Sequence, residues 1–128
     1  MRLLVDTCTF LWAIAGAPDL SATARRVIVD PGNEVYLSAV SAWEIAIKWG
    51  RGRLVLAEPP DRLVPAQRIA HGIDELPLDE ASALHASRLP ALHRDPFDRM
   101  LVSQAIVHGL TIVTPDELVI QYPARTIW

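Results

Sequence analysis

The chain has 128 residues, of which 51% are apolar and 21% are charged. This length is sufficient for one domain with a substantial core, and the composition excludes a disordered chain. The formal net charge of -3 does not indicate nucleic-acid binding. It does not exclude such binding, because local basic patches or bound cations change the field that a substrate meets.

The N-terminus shows no signal-peptide pattern, and no apolar run is long enough to cross a bilayer. We therefore expect a cytoplasmic protein without membrane contact. The single cysteine, Cys8, excludes an internal disulfide, and its apolar neighbours predict a small buried side chain. The histidines lack zinc-type spacing and are interpreted as surface or loop residues: His71, His85, His93 and His108.

Strands alternate with helices in the N-terminal half. An apolar run predicts a buried strand at 2–5, and a second strand is predicted at 34–38. Three helices are predicted here: one ended by Gly16, a second capped by Ser21 that runs to about Asp30, and a third that opens at Ser41 and reaches Gly50.

The C-terminal half continues this alternation. Residues 51–60 are predicted to be irregular, and a helix at 61–71 is weakened by Pro65. A strand is predicted at 73–78, and a helix from Asp79 to Leu89. A further helix has Asp95 as its N-cap, Pro96 at its first position and Gly109 as its C-cap. The last predicted elements are a strand at 110–113, a turn at 114–116 and an edge strand at 125–128.

This order of elements predicts an α/β fold. We expect a mainly parallel sheet of four to five strands with helices on both faces, because right-handed crossovers place helices on either side. No linker or repeat interrupts the chain, so residues 1–128 are predicted to form a single domain.

Four acidic residues stand at the carboxyl ends of predicted strands or in the first turns of the following helices: Asp6, Glu44, Asp98 and Asp116. In a parallel α/β sheet these positions share one edge, which is where ligands bind. Each acid alone has a structural explanation, as a helix cap, a capping-box glutamate after Ser41 or a turn residue. Asp95 is explained by its N-cap position.

Taken together, the four carboxylates would repel one another in a single crevice unless a cation lay between them. The chain has one lysine, Lys48, whose position one turn after Glu44 is also typical of a helical ion pair. Oxygen ligands favour Mg²⁺ or Mn²⁺ over zinc, and such a site suits phosphodiester hydrolysis.

At these residues the sequence resembles a PIN domain, specifically the VapC type of toxin from bacterial toxin–antitoxin pairs. The matching segments are 3–7 (LLVDT) with Leu11 and Trp12, 37–48 (LSAVSAWEIAIK), 52–54 (GRL), 93–101 (HRDPFDRML) and 110–116 (LTIVTPD). They span nearly the whole chain in family order.

The resemblance implies a PIN-like fold and a Mg²⁺-dependent endoribonuclease, with Mn²⁺ as a possible substitute. Its acidic residues would be Asp6, Glu44, Asp98 and Asp116, acting as catalytic residues and metal ligands. It also implies homodimerisation and inhibition by a cognate antitoxin. Asp95 matches a second acid of the subgroup, and Thr7, Thr114, Ser38 and Ser41 match hydroxyl positions near the site. Cys8 stands where the family has histidine.

Other interpretations remain open. A catalytically inactive RNA- or protein-binding module would use the acids only as helix caps. Aspartate-nucleophile phosphatases are disfavoured because Cys8 stands where they have a second acid. Receiver domains are disfavoured because they have a lysine late in the chain, and the only lysine here is Lys48. Arg51, Arg53 and Arg99 are candidates for RNA phosphates, with solvated surface charge as the default. Trp43 is predicted to lie in the core or a dimer interface.

Overall fold

The computed structural model describes residues 1–128 and shows a five-stranded, wholly parallel sheet with strand order β3-β2-β1-β4-β5. The strands are β1 (Arg2–Val5), β2 (Glu34–Ser38), β3 (Ile73–Leu76), β4 (Thr111–Val113) and β5 (Arg125–Ile127). The helices are α1 (Thr7–Ala15), α2 (Ala22–Val29), α3 (Ala39–Gly50), α4 (Pro60–Ala70), α5 (Glu80–Ala86), α6 (Pro96–His108) and α7 (Glu117–Ile120). The predicted α/β class and parallel sheet are confirmed.

The central strand β1 is buried on both faces, as its apolar sequence predicts. Leu3 and Val5 belong to one apolar cluster, and Leu4 belongs to the other. This division follows from the alternation of side chains along a strand. The first cluster includes Phe10 of α1 and the second includes Leu101 of α6, so helices cover both faces. No helix is both long and apolar enough to span a bilayer.

Side-chain caps set most helix starts where the sequence predicts them. The side chains of Ser21, Asp79 and Asp95 accept hydrogen bonds from the backbone N–H groups of Ala24, Ser82 and Phe97. Gly109 ends α6 at φ +66°, a left-handed conformation that glycine adopts without steric cost.

Two predicted boundaries are wrong, and one short helix was not predicted. Helix α5 ends at Ala86 and not at Leu89. Strand β3 ends at Leu76, because the next residue, Pro77, has no N–H to donate to a sheet. The predicted turn at 114–116 leads into the short helix α7, whose N-cap is Asp116.

The start of α3 also differs from the prediction. Ser38, the last residue of β2, caps the helix by accepting from the N–H of Val40, so α3 begins at Ala39. Ser41 therefore lies inside the helix, and its buried hydroxyl oxygen has no hydrogen-bond partner. The capping box between Ser41 and Glu44 does not form, and Glu44 lies in the second turn.

A buried polar link joins α6 to β2. Gln104, which is fully buried, accepts a hydrogen bond from Ser38 Oγ at 2.5 Å and donates to the carbonyl of Pro77 at 3.1 Å. The link therefore holds α6 against the carboxyl ends of β2 and β3.

We expect Gln104→Leu to lower the free energy of unfolding by about 1–3 kcal/mol, because it leaves a buried hydroxyl and a carbonyl without their partners. Urea denaturation measures this loss. The matched control is Gln121→Leu at an exposed position, which should change stability by less than about 0.5 kcal/mol. Equal stabilities of the two variants would contradict this role of Gln104.

Candidate active site

All four acids singled out in the sequence line one cavity of about 400 Å³ at the carboxyl edge of the sheet. Asp6 follows β1 and Asp116 follows β4, while Glu44 lies in α3 after β2. Asp98 comes from the first turn of α6. The cavity lies at the end of the central strand β1. In the order β3-β2-β1-β4-β5, successive strands are added on one side of β1 up to β3 and on its other side from β4 onward, so the direction of winding reverses at β1. Ligands of parallel α/β sheets bind at such a reversal.

Asp6 is nearly buried, and each of its carboxylate oxygens has a donor. Oδ1 accepts from the backbone N–H of Thr9 at 2.8 Å, and Oδ2 accepts from Thr114 Oγ1 at 2.5 Å. Burial raises the pKa of Asp6, whereas the hydrogen bonds from Thr114 and Thr9 lower it. The carboxylate thus has a fixed orientation and an environment that favours a nearby cation.

Glu44 is held by two side chains. Thr7 Oγ1 donates to Oε1 at 2.6 Å, and Lys48 Nζ lies 2.7 Å from Oε2. The predicted i,i+4 ion pair is confirmed, and the hydrogen bond with Glu44 raises the pKa of Lys48. The only lysine of the chain is therefore already paired within the acidic cavity.

Asp98 is the acid with the least compensation. Its pKa is raised to about 7, first by burial and then by repulsion from Asp95, Glu44 and Asp116, while His93 lowers it. Asp6 accepts hydrogen bonds from a backbone N–H group at a helix start and from a threonine hydroxyl, whereas Asp98 accepts neither kind. This perturbed carboxyl group in a cleft marks a candidate functional site.

His93 also lies in the cavity, which the sequence analysis missed. Its Nε2 atom is 3.0 Å from Asp98 Oδ2 and 3.6 Å from Asp116 Oδ2. The backbone N–H of His93 donates to the hydroxyl of Tyr122 at 2.8 Å, which anchors the loop. His93 lies in the loop before α6, as expected, but its side chain also enters the acidic cavity. Its place in the 93–101 segment, two residues before the Asp95 cap, is the sequence signal that could have revealed it.

The tautomer of His93 bears on metal binding. Ligand atoms of His93, Asp98 and Asp116 lie within 4.8 Å of one another, a spacing that could hold a metal ion. However, His93 Nδ1 accepts from the backbone N–H of Asp95 at 3.2 Å, so in the neutral ring the proton is on Nε2. In this tautomer Nε2 donates to Asp98, and the carboxylate oxygens of Asp98 and Asp116 are the donors open to a cation.

Asp116 and Asp95 serve as helix caps and also line the cavity. Asp116 Oδ1 accepts from the N–H of Leu118 at 2.9 Å, and its Oδ2 faces His93. Asp95 Oδ1 accepts from the N–H of Phe97 at 2.9 Å. Thr114 connects two of the acids, because its Oγ1 accepts from the N–H of Asp116 and donates to Asp6.

Three other expectations need correction. Cys8 is exposed at the cavity wall rather than buried. Partial desolvation by the surrounding wall, together with the charge of Asp6, raises the pKa of its thiol. Arg99 is not free for RNA, because it donates to Tyr122 Oη and to the carbonyls of Ala86, Leu89 and Pro90. Trp43 is 62% exposed and packs edge-on against Phe97, so it is not a core residue, and only the dimer-interface alternative stays a prediction.

The donor set fits a hard divalent cation. Several carboxylates converge, the one ammonium group is already paired with Glu44, and Asp98 has a pKa raised to about 7 by burial and like charges. Oxygen donors of this kind favour Mg²⁺ or Mn²⁺. Asp6, Asp98 and Asp116, which all line the cavity, are the residues that would hold such an ion.

The PIN domain family model matches residues 3–123. The chain belongs to the PIN domain family. A segment of 69 residues is 38% identical to Ribonuclease VapC16 of Mycobacterium tuberculosis (strain ATCC 25618 / H37Rv), covering 54% of this chain and 49% of the relative. The match thus spans about half the length of that curated relative.

Solved structures share this PIN fold at low sequence identity. VapBC2 from Rickettsia felis, bound to a DNA fragment from its promoter, matches with a TM-score of 0.73 at 14% identity, covering 99% of this chain and 98% of the other. VapBC-1 from nontypeable Haemophilus influenzae matches with a TM-score of 0.63 at 17% identity, covering 94% and 91%. FitAcB from Neisseria gonorrhoeae has a TM-score of 0.59 at 19% identity, covering 98% and 96%.

The raised pKa of Asp98 predicts a pH-dependent stability of the metal-free protein. The folded-state pKa of about 7 exceeds the ordinary value of 3.8, so the folded chain binds this proton more tightly than the unfolded chain. Stability should therefore fall as the pH rises from about 4 to 7. Melting temperatures across this range should decline less for Asp98→Asn, which keeps the shape without the charge.

The same change should remove the response to metal. Mg²⁺ or Mn²⁺ should raise the melting temperature of the wild-type protein by binding only the folded state. Asp98→Asn should be more stable without metal and respond less to it. The control is Glu58→Gln at an exposed position outside the cavity. If Asp98→Asn neither stabilises the metal-free protein nor reduces the metal response, carboxylate repulsion does not dominate this site.

His93 should hold down the pKa of Asp98. Removing its ring in His93→Ala should raise this pKa further, because His93 opposes the shift caused by burial and neighbouring acids. A ¹³C NMR titration of the Asp98 carboxyl group measures the change. His85→Ala, at a site on α5 outside the cavity, is the control. An unchanged or lower Asp98 pKa in His93→Ala would contradict this influence.

Proposed function

We propose that this PIN-domain protein is a metal-dependent endoribonuclease that cleaves RNA phosphodiester bonds. The observation that carries the proposal is that Asp6, Glu44, Asp98 and Asp116 all line one cavity, in which partial burial and neighbouring acids raise the pKa of Asp98 to about 7. Helix capping does not account for Asp98 or Glu44, which disfavours an inactive module in which the acids only cap helices. The relative named Ribonuclease VapC16 supports the same activity.

The roles of the acids follow from their surroundings. Asp6, oriented by Thr9 and Thr114, and Asp98 serve as metal ligands, and Asp116 completes the set through Oδ2. A Mg²⁺ or Mn²⁺ ion held by these residues would supply positive charge to the phosphoryl oxygens and would lower the pKa of the attacking water. Glu44, held by Thr7 and Lys48, orients that water.

We further propose that the protein is the toxin of a type II toxin–antitoxin pair. The names of its structural neighbours, VapBC and FitAcB, support a cognate antitoxin as partner. In this proposal residues 1–128 form one PIN-like domain that acts as a homodimer in the cytoplasm. The exposed Trp43 is the candidate contact between the two copies.

The activity is tested with purified protein and RNA. Cleavage should require Mg²⁺ or Mn²⁺ and stop in EDTA, and Asp6→Asn and Asp98→Asn should each reduce the rate by about a hundredfold or more. Glu58→Gln should retain the wild-type rate. Gel analysis of a 5′-labelled RNA measures all of these. Cleavage that persists in EDTA, or in both aspartate variants, would contradict the proposed chemistry.

A further inference from the structure

A second cavity of about 380 Å³ adjoins the acidic one, and the two share Glu44, Lys48 and Asp95 in their walls. We call the second cavity the basic groove. Its other lining residues are Ile47, Arg51, Arg53, Arg94, Pro96 and Phe97. A ligand in the basic groove would therefore continue directly into the acidic cavity.

The groove concentrates positive charge in an otherwise acidic protein. Four of the twelve lysine and arginine residues line it, although the whole chain carries a net charge of -3. Two acids also line it, and four cations less two acids leave an excess of two positive charges. Both acids are engaged, since Glu44 pairs with Lys48 and Asp95 caps α6.

The three arginines have free guanidinium groups. Arg51, Arg53 and Arg94 are exposed, and none forms an ion pair or a side-chain hydrogen bond within the chain. Other arginines are used internally, as Arg99 is in binding three carbonyls. The donors of the groove therefore remain available to an external acceptor.

The backbone holds two of these arginines in a tight turn. Arg51 N–H donates to the carbonyl of Ile47 at 3.1 Å, and Arg53 N–H donates to that of Lys48 at 2.9 Å. Gly52 lies between them at φ +70°, which a larger residue would adopt only with strain. The two side chains thus leave from a fixed turn at the end of α3.

Helix stabilisation explains only part of this arrangement. Cations at the end of α3 complement its dipole, which accounts for Arg51 and Arg53 without a ligand. Arg94 has no such explanation, because it precedes Asp95 at the start of α6, where the dipole disfavours a cation. The gathering of Arg94 with the α3 arginines is better explained by a shared anionic ligand.

We propose that the basic groove binds the backbone of single-stranded RNA beside the bond that is cleaved. Guanidinium groups bind phosphate oxygens through charge-assisted hydrogen bonds, and the groove leads to the metal-binding carboxylates. Ile47 and Phe97 provide an apolar surface for unpaired bases, and a basic rim with an aromatic floor is typical of single-strand binding. This inference rests on the proposed ribonuclease function.

The test measures binding without cleavage. In an Asp98→Asn background with Mg²⁺, fluorescence anisotropy follows a labelled single-stranded RNA of about 12 nucleotides over a range of salt concentrations. The test protein carries Arg51→Gln, Arg53→Gln and Arg94→Gln. The control carries Arg26→Gln, Arg62→Gln and Arg88→Gln, which remove the same charge at exposed positions outside both cavities.

We expect the groove variant to bind RNA more weakly. The plot of log K against log salt should become less steep, its slope decreasing in magnitude by about 2, since each lost phosphate contact removes roughly 0.7 from it. The control should retain the parent slope and most of the affinity. Equal losses in both variants, or none in the groove variant, would overturn the proposal. So would equally tight, groove-dependent binding of duplex RNA.

Polyglutamate tests the alternative that the basic groove binds an acidic protein segment and not RNA. If it binds the groove more tightly than RNA does, and loses this binding in the groove variant alone, the groove belongs to an acidic protein segment and the proposal fails. RNA cleavage by the protein with intact Asp98 is scored separately. Cleavage with groove-independent binding overturns this inference alone, whereas groove-dependent binding without cleavage supports the groove and contradicts the ribonuclease proposal.

Discussion

The mutual repulsion of carboxylates gathered in one cavity is the constraint on which this structure depends. Asp6, Glu44, Asp98 and Asp116 are brought to one edge of the sheet, where burial weakens their hydration and their charges oppose one another. The chain offsets this cost locally, with threonine hydroxyls on Asp6 and Glu44 and with Lys48 beside Glu44. Asp98 has the least compensation for the cost of burying its charge near other acids, and its pKa is raised for this reason.

The supporting network reaches well beyond the acids themselves. Arg99 binds the carbonyls that end α5 and the loop after it, and it also contacts the hydroxyl of Tyr122. Tyr122 in turn accepts from the backbone of His93, which places the imidazole against Asp98. An arginine that the sequence suggests for RNA thus positions the loop that carries His93. The adjoining basic groove uses different arginines, whose guanidinium groups are free.

The two adjoining cavities carry opposite charges on the protein surface. Acids that favour a cation lie at the carboxyl ends of β1 and β4, and free arginines lie at the end of α3 and before α6. Free arginines attract a polyanion, whereas the acids of the first cavity repel it unless a cation offsets their charge. Such an arrangement fits a phosphodiester substrate better than a neutral ligand.

The sequence by itself determined the parallel α/β fold and the capped starts of most helices, because apolar periodicity and cap residues act locally. It also determined the four acids that share the cavity, because a parallel topology places the carboxyl ends of the strands together. It also determined the Glu44–Lys48 pair, whose spacing is helical. Only the tertiary structure decided that His93 enters the cavity, that Cys8 is exposed and that Arg99 is internal. The start of α3 at Ala39, capped by Ser38, and the placement of Arg94 in one groove with Arg51 also required it. These features depend on how separate strands, helices and loops pack together, which no local pattern of residues encodes.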